Sequence, residues 1–287
     1  MTAVGPEVAT EKPGMTIDAL LHVARARLGQ SSSAALDARL LLEAATGITH
    51  AEIIAEPYLQ LSEQQMQTFN AFITRRMAHE PVSRILGTRE FYGRSFIVTD
   101  AVLDPRADTE CVIELALKLV KQGRFIDLGT GSGAIAITLC AENHELSGVA
   151  SDLSAPALSV AKANAENLGI VERLDFHHGA WLEGVTERFD LIISNPPYIR
   201  DDANLPPDVA RFDPHLALFG GADGLQSYCA IAQQSRRCLN ANGLVVVEIG
   251  HQQAHAVSEI FVEHGFKYID EAIDIAGYTR GLAFQLA

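Results

Sequence analysis

From Asp108 to the C-terminus the chain alternates short apolar runs with amphipathic ones, and that alternation leaves few folds open. "TECVIELALKLVKQG" spaces its apolar residues as a helix does, "RFIDLG" is a short apolar strand, "AIAITLCAE" a helix, "GVASDL" a strand, and "APALSVAKANAENLG" a helix stopped by Gly169. "LDFHHG" and "FDLIIS" read as strands, "LQSYCAIAQQSRRCLNANG" as a helix with its glycine stop, and "LVVVEIG" as a strand. Strands that are apolar throughout must be covered on both faces, which is the pattern of a parallel sheet wrapped by helices, an α/β architecture. After a helix around His255 to Glu263, "KYIDEAIDI" and "GLAFQLA" are strands separated by too few residues for a crossover helix. They are expected to be antiparallel and to give the sheet a reversed C-terminal edge.

The residues before Asp108 follow other rules. Residues 1 to about 14 show no periodicity and read as a loose tail. Ile17, Leu20, Leu21, Ala24 and Leu28 then recur at helical spacing, with Ser33, Thr49 and Ser62 as candidate N-caps and Gly47 as a stop, so a small helical bundle is expected up to residue 80. In "HEPVSRILGTREFYGRSFIVT" Pro81 breaks the helix and two short strand-forming runs flank Gly87; residues 81–107 read as a β-hairpin linker to a domain over 108–287. A chain of 287 residues has room for both domains.

Charge and composition remove several classes. The 36 acidic residues against 22 basic ones give a formal charge of -14, which opposes broad neutralisation of nucleic-acid phosphates, so no direct nucleic-acid partner is expected. No signal peptide or membrane span is visible, and a cytoplasmic, monomeric protein is expected. Cys111, Cys140, Cys229 and Cys238 are scattered and form no C-x-x-C pair; they read as small core residues. His251 and His255 lie four apart on a predicted helix without a third ligand, so they read as surface histidines and no metal is expected.

Chemistry concentrates in three places. "DLGTGSG", Asp127 to Gly133, stands between a strand and a helix, where glycines permit a tight turn and let a ligand approach the backbone. The next strand ends in Asp152, positioned to accept hydrogen bonds from both hydroxyls of a ribose. Together they indicate an adenosine-containing ligand and leave a dinucleotide and S-adenosylmethionine both open. The spacing D-x-G-x-G-x-G, rather than G-x-G-x-x-G, resembles the Rossmann-like methyltransferases.

The third place is "SNPPY". In such a sheet the first and fourth strands are neighbours at the switch point, so Gly129 and Asn195 would face one another across a crevice. Pro196 holds Asn195 extended, and Pro196 and Pro197 leave carbonyls without competing donors: a rigid acceptor array. A planar NH₂ needs such acceptors, the Asn195 side-chain oxygen and the Pro196 carbonyl, to hold its two hydrogens while nitrogen meets a methyl group; Tyr198 can stack on the flat group. Arg106 and Glu110 either line the substrate entrance or form an ion pair within a helical turn.

"LDARLLLEAATG", "EPVSRILGTREFYGRSF", "DPRADTE", "DLGTGSGAIAI", "SNPPYI", "LALFGGADGL" and "EIGHQQ" together resemble the release factor glutamine N5-methyltransferases along nearly the whole chain. The resemblance implies transfer of a methyl group from S-adenosylmethionine to the glutamine of the Gly-Gly-Gln loop of class 1 peptide chain release factors. It implies that Asp127, Gly129, Thr130, Gly131, Ser132, Gly133, Asp152, Trp181 and Asn195 bind the cofactor, that Asn195, Pro196, Pro197 and Tyr198 hold the glutamine, and that the helical domain over residues 1–80 recognises the substrate. The chain departs from the family pattern at Ala180, where Asp is common, at Ala107, where proline is usual, and at His215, where Glu is common. Alternatives are glutamine methylation of a ribosomal protein, adenine N6-methylation of nucleic acid by the same four residues, and a non-catalytic adenosine-binding module.

Overall fold

The computed structural model describes residues 14–287 except Gln30 and Ser32. Residues 1–13 of the expected tail lie outside the described residues. The chain divides between Leu86 and Gly87 into two compact units.

The first unit contains α1 (Ile17–Arg27), α2 (Ala34–Thr46), α3 (His50–Ala55), α4 (Glu63–Met77) and α5 (Val82–Leu86). Their facing apolar stripes meet in a core that includes Leu20, Leu41, Leu42, Phe69 and Ile73. Thr49 with Glu52 and Ser62 with Gln65 close reciprocal capping boxes, so α3 and α4 begin where local chemistry dictates. Ser33 does stand at the start of α2, but its hydroxyl donates to Asp37 Oδ1 at 2.8 Å instead of accepting from the helix backbone. Asp37 is buried and also accepts from Arg76 Nε at 2.7 Å, which ties α2 to α4. Residues 82–86, expected to open a hairpin linker, are helical. α4 has already stopped at Met77, with His79 at a positive φ of 69°, and Pro81 instead starts the next helix: its carbonyl accepts from Arg84 N and Ile85 N, and a missing N–H costs nothing at a helix start.

The second unit starts with a hairpin, β1 (Thr88–Phe91) and β2 (Arg94–Ile97), which turns at Tyr92–Gly93 rather than around Gly87. Both turn residues have positive φ, 50° and 69°, the twist a two-residue hairpin loop requires. Then come α6 (Asp108–Leu119), β3 (Gly123–Leu128), α7 (Ala134–Glu142), β4 (Leu146–Asp152), α8 (Ala155–Asn167), β5 (Leu174–His178), β6 (Phe189–Ser194), α9 (Pro207–Phe212), α10 (Gln226–Cys238), β7 (Leu239–Glu248), α11 (Ala254–Glu263), β8 (Phe266–Ile273) and β9 (Thr279–Leu286). The seven-stranded sheet has the order β5-β4-β3-β6-β7-β9-β8. Strands β5, β4, β3, β6 and β7 pair in parallel, and β9 runs antiparallel to both neighbours, so the reversed strand sits one place in from the edge.

Side-chain alternation along these strands feeds two cores. Phe125, Leu191, Ile193 and Val246 point to the layer holding α6 and α7, while Ile126, Ile192, Val245 and Val247 point to the layer holding α10 and α11. "LNANG" does not extend α10. Leu239 pairs with Phe189 and the register then shifts before Leu191 meets Leu244, because β7 bulges against β6. Gly243 belongs to that close approach: a Cβ there would lie 2.9 Å from the Phe189 carbonyl oxygen. Cys140 and Cys238 are core residues as expected; Cys229 instead lies exposed on α10, whose apolar stripe does not include it.

Candidate active site

At the carboxyl ends of β3, β4 and β6 lies a cleft of about 790 Å³. Strand β3 is flanked by β4 and β6, which places Leu128 beside both Ser151 and Ser194 and sets the loop after β3 opposite the loop after β6. Ser194 Oγ donates to the Leu128 carbonyl at 2.7 Å and locks the two strand ends together.

The glycine loop is held from below and from both sides. Gly129 N and Thr130 N donate to the Ser151 carbonyl, and Gly131 N donates to Asp152 Oδ2 at 2.9 Å. Gly129, Gly131 and Gly133 all take positive φ, at 71°, 56° and 82°. A Cβ on Gly129 or Gly131 would meet nothing within 4 Å, so the loop presents bare backbone to open space. At Gly133 it would lie 2.8 Å from Ile137 Cδ1 and 3.2 Å from Ala161 Cβ, so this glycine is demanded by packing. Asn164, on α8, is buried and clamps the loop: its Nδ2 donates to the Ser132 and Ile97 carbonyls and its Oδ1 accepts from Ile97 N.

Asp127 is fully buried beneath the loop and does not border the cleft. Its Oδ2 accepts from Thr130 Oγ1 at 2.6 Å and from Ala136 N at 3.3 Å, so it shapes the loop instead of touching a ligand. Burial raises its pKa to about 7, against the opposing pull of the Thr130 and Ala136 hydrogen bonds. Gly129, Thr130, Gly131, Ser132 and Asp152 do border the cleft; Gly133 does not. Asp152 Oδ1 accepts from Ser154 N at 2.8 Å, so each carboxylate oxygen is aimed by one backbone N–H and keeps a lone pair free. Trp181 borders the cleft with φ at 52°, a left-handed conformation that a tryptophan holds only under tertiary constraint.

From the other side Asn195 and Pro197 border the cleft, whereas Pro196 and Tyr198 do not. Tyr198 packs against the α10/α11 core, where burial raises its phenol to about 12, and its carbonyl accepts from Gln253 Nε2 at 3.1 Å. The Pro196 carbonyl accepts no hydrogen bond among the described residues. The segment "LFGG" runs alongside, with Ile199 N donating to the Leu218 carbonyl and Gly220 N to the Ile199 carbonyl. A Cβ on Gly220 would stand 2.5 Å from the Pro197 oxygen. Asn195 Nδ2 donates to Thr109 Oγ1 at 3.4 Å.

Arg106 and Glu110 part company. Arg106 borders the cleft and pairs with the buried Asp213 at 2.7 Å. Glu110 is outside it: its Oε1 accepts from Tyr92 N at 3.0 Å and steadies the hairpin turn, so the two residues form no ion pair. Sequence reasoning missed Thr109, Asn164, Asp213 and Glu248, each of which acts through a partner far away in the chain. Of the departures from the family pattern, Ala107 sits at the start of α6 and offers no side-chain cap, and the His215 ring packs on Phe219 at 5.4 Å. Among the described residues no cluster of three His, Cys, Asp or Glu could hold a metal ion, and no helix is long and apolar enough to cross a membrane.

Bare glycine backbone, a carboxylate with free lone pairs and an aromatic ring on one cleft fit the parts of S-adenosylmethionine. Sheet order, glycine loop and acid define a Rossmann-like, S-adenosylmethionine-dependent methyltransferase. Residues 107–211 match the methyltransferase small domain, and residues 19–87 match the PrmC N-terminal domain. The catalytic domain of hMettl16, solved in complex with MAT2A 3'UTR hairpin 6, shares the fold with a TM-score of 0.56 at 18% identity, covering 72% of this chain and 81% of that one. Release factor glutamine methyltransferase of Agrobacterium fabrum is 41% identical over 94% of this chain and 97% of its own, and that of Bradyrhizobium diazoefficiens is 40% identical over 97% of each. The chain belongs to the release factor glutamine methyltransferase family.

Proposed function

We propose that this protein methylates the side-chain amide nitrogen of the glutamine in the Gly-Gly-Gln loop of class 1 peptide chain release factors, in the cytoplasm. The observation that carries the reading is the placement of Asn195 and Pro197 on the same cleft as the bare backbone of Gly129 and Gly131.

The glycine loop and Asp152 hold the adenosine and ribose, with Trp181 alongside. When bound, S-adenosylmethionine supplies a methyl group on a sulfonium: the new N–C bond forms as the C–S bond breaks, its electron pair stays on sulfur, and the methylated amide releases one proton to solvent. Asn195 Oδ1 accepts one hydrogen of the substrate NH₂, and the unengaged Pro196 carbonyl, which lies outside the cleft lining, becomes the second acceptor once substrate binding turns it toward the cleft. Positive charge grows on the nitrogen during transfer, so these hydrogen bonds strengthen on the way to the transition state and lower the barrier. In the structure Tyr198 packs into the core, so its stacking on the glutamine requires the ring to turn toward the cleft. Arg106, its charge balanced and its guanidinium held by Asp213, keeps N–H donors at the mouth for the substrate chain. The helical unit, which has its own core and carries none of these side chains, is assigned to recognition of the release factor. The strongly acidic charge of -14 disfavours adenine N6-methylation of nucleic acid. Single-turnover methyl transfer to a purified release factor, compared with an adenine-containing oligonucleotide, tests the reading; transfer to the oligonucleotide alone would overturn it.

A further inference from the structure

Glu248, the last residue of β7, is 2% exposed and does not border the cleft. Thr109, at the start of α6, borders the cleft and donates its hydroxyl proton to Glu248 Oε2 at 2.6 Å. That proton is the only one Thr109 Oγ1 has, so toward Asn195 the oxygen can only accept. Asn195 Nδ2 donates to it at 3.4 Å, and the Asn195 side chain lies near enough to the Glu248 carboxylate to favour its anionic form. Both groups beneath Asn195 are acceptors, so its NH₂ is turned down toward them. Its Oδ1 is thereby left as the atom available to the cleft.

We infer that Glu248 is a positioning residue for the methyl transfer: acting through Thr109, its carboxylate fixes the Asn195 amide with the oxygen facing the substrate NH₂. The inference rests on the reading of Asn195 given above as the acceptor for a substrate amide. A substrate NH₂ offers only donors, so an Asn195 turned over would meet it donor to donor. The device works while Glu248 is an anion. Once protonated, it can donate to Thr109 or to the Asn195 oxygen, and the amide loses its single preferred orientation.

The surroundings place that switch in the ordinary pH range. Burial raises Glu248 to about 7, opposed by the Thr109 hydrogen bond; Asp108 raises it further, and Arg280 and the Asn195 side chain lower it. Tyr198 and Tyr228 also face this group, and Tyr228 Oη donates to the Glu248 backbone carbonyl at 3.0 Å; Cys111, on α6, has a thiol raised to about 11 by burial. None of these three ionises near neutrality. Methyl transfer should therefore rise with pH as Glu248 ionises near pH 7, on top of any contribution from Asp127, which titrates in the same range beneath the glycine loop.

Two measurements on the full chain test this. In the wild-type protein, the Asn195 side-chain NH₂ resonances, assigned by their absence from Asn195→Ala, should titrate with one apparent pKa near 7 and lose that titration in Glu248→Gln. Single-turnover methyl transfer should fall on the order of 10- to 100-fold in Glu248→Gln, with the Glu248 part of its pH dependence near neutrality lost and only that of Asp127 left, as expected when a preorganised partner is misoriented. Thr109→Val should fall in the same direction, and Thr109→Ser, which keeps the hydroxyl, should recover most of that loss. Wild-type Asn195 resonances that ignore pH between about 5 and 9, or a folded Glu248→Gln protein with the wild-type rate and profile, would overturn the inference. A wild-type protein whose Asn195 titrates as stated but that methylates no release factor would leave the positioning intact and overturn the substrate reading instead.

Discussion

Asp152 carries two loads, and replacing it with alanine should reveal both. Its Oδ2 holds Gly131 N at 2.9 Å and its Oδ1 holds Ser154 N at 2.8 Å, so the carboxylate staples the glycine loop to the start of α8 before any ligand arrives. Losing two charge-assisted bonds from a partly exposed side chain should destabilise the unit by about 1–3 kcal/mol. The ribose hydroxyls lose their acceptors as well, worth about 1.5–3 kcal/mol, which corresponds to a rise of roughly 10- to 150-fold in Kd for S-adenosylmethionine. Asp152→Asn should do little better. Its oxygen can satisfy Ser154 N, but its NH₂ then confronts the Gly131 N–H. Isothermal titration calorimetry gives the affinity and urea denaturation the stability. An alanine variant that binds within about two-fold of wild type would remove Asp152 from the ligand site, and unchanged urea stability would show that the staple contributes nothing.

Asn195→Ala should slow single-turnover methyl transfer on the order of 10²- to 10³-fold while cofactor affinity changes much less, since the glycine loop and Asp152 remain; a near wild-type rate would reduce "SNPPY" to a stiff turn. Gly133→Ala should cost about 2–5 kcal/mol in urea stability, about 1–2 from forcing φ of 82° on a residue with a Cβ and the rest from its contacts with Ile137 and Ala161; an unchanged midpoint would refute the packing argument. Asp127 and Glu248 both have folded pKa values raised to about 7, so the native state keeps protons that the unfolded chain releases at lower pH. Stability should therefore fall by on the order of a few kcal/mol between about pH 5 and about pH 8, and Asp127→Asn should flatten part of that slope; urea midpoints that rise with pH would contradict it. A chain beginning at Gly87 should bind S-adenosylmethionine by calorimetry yet methylate an intact release factor poorly; equal activity would remove the recognition role of the helices.

Local chemistry was legible in the sequence wherever one stretch of chain decides the outcome. The capping boxes at Thr49 and Ser62 involve residues three apart, and the apolar strands announce a sheet covered on both faces. The switch-point rule then placed Gly129 and Asn195 across one cleft, because β3 and β6 had to be neighbours. Long-range side-chain partners were not legible. Thr109 meets Glu248 across 139 residues and Asn164 meets Ile97 across 67, and no periodicity encodes either contact. Misreadings came where a residue type with a familiar role serves another: Pro81 starts a helix rather than breaking one, and Gly243 serves a strand bulge rather than a helix stop. Arg106 and Glu110 diverge because the first precedes α6 and the second lies on the face of that helix turned to the hairpin.

Intact-mass spectrometry of a purified class 1 release factor incubated with this protein and S-adenosylmethionine tests the central claim most directly. The account predicts a gain of one methyl group, mapped by fragmentation to the glutamine of the Gly-Gly-Gln loop and abolished when that glutamine is replaced by asparagine. An unmodified release factor, or a methyl group mapped to any other residue, would contradict it.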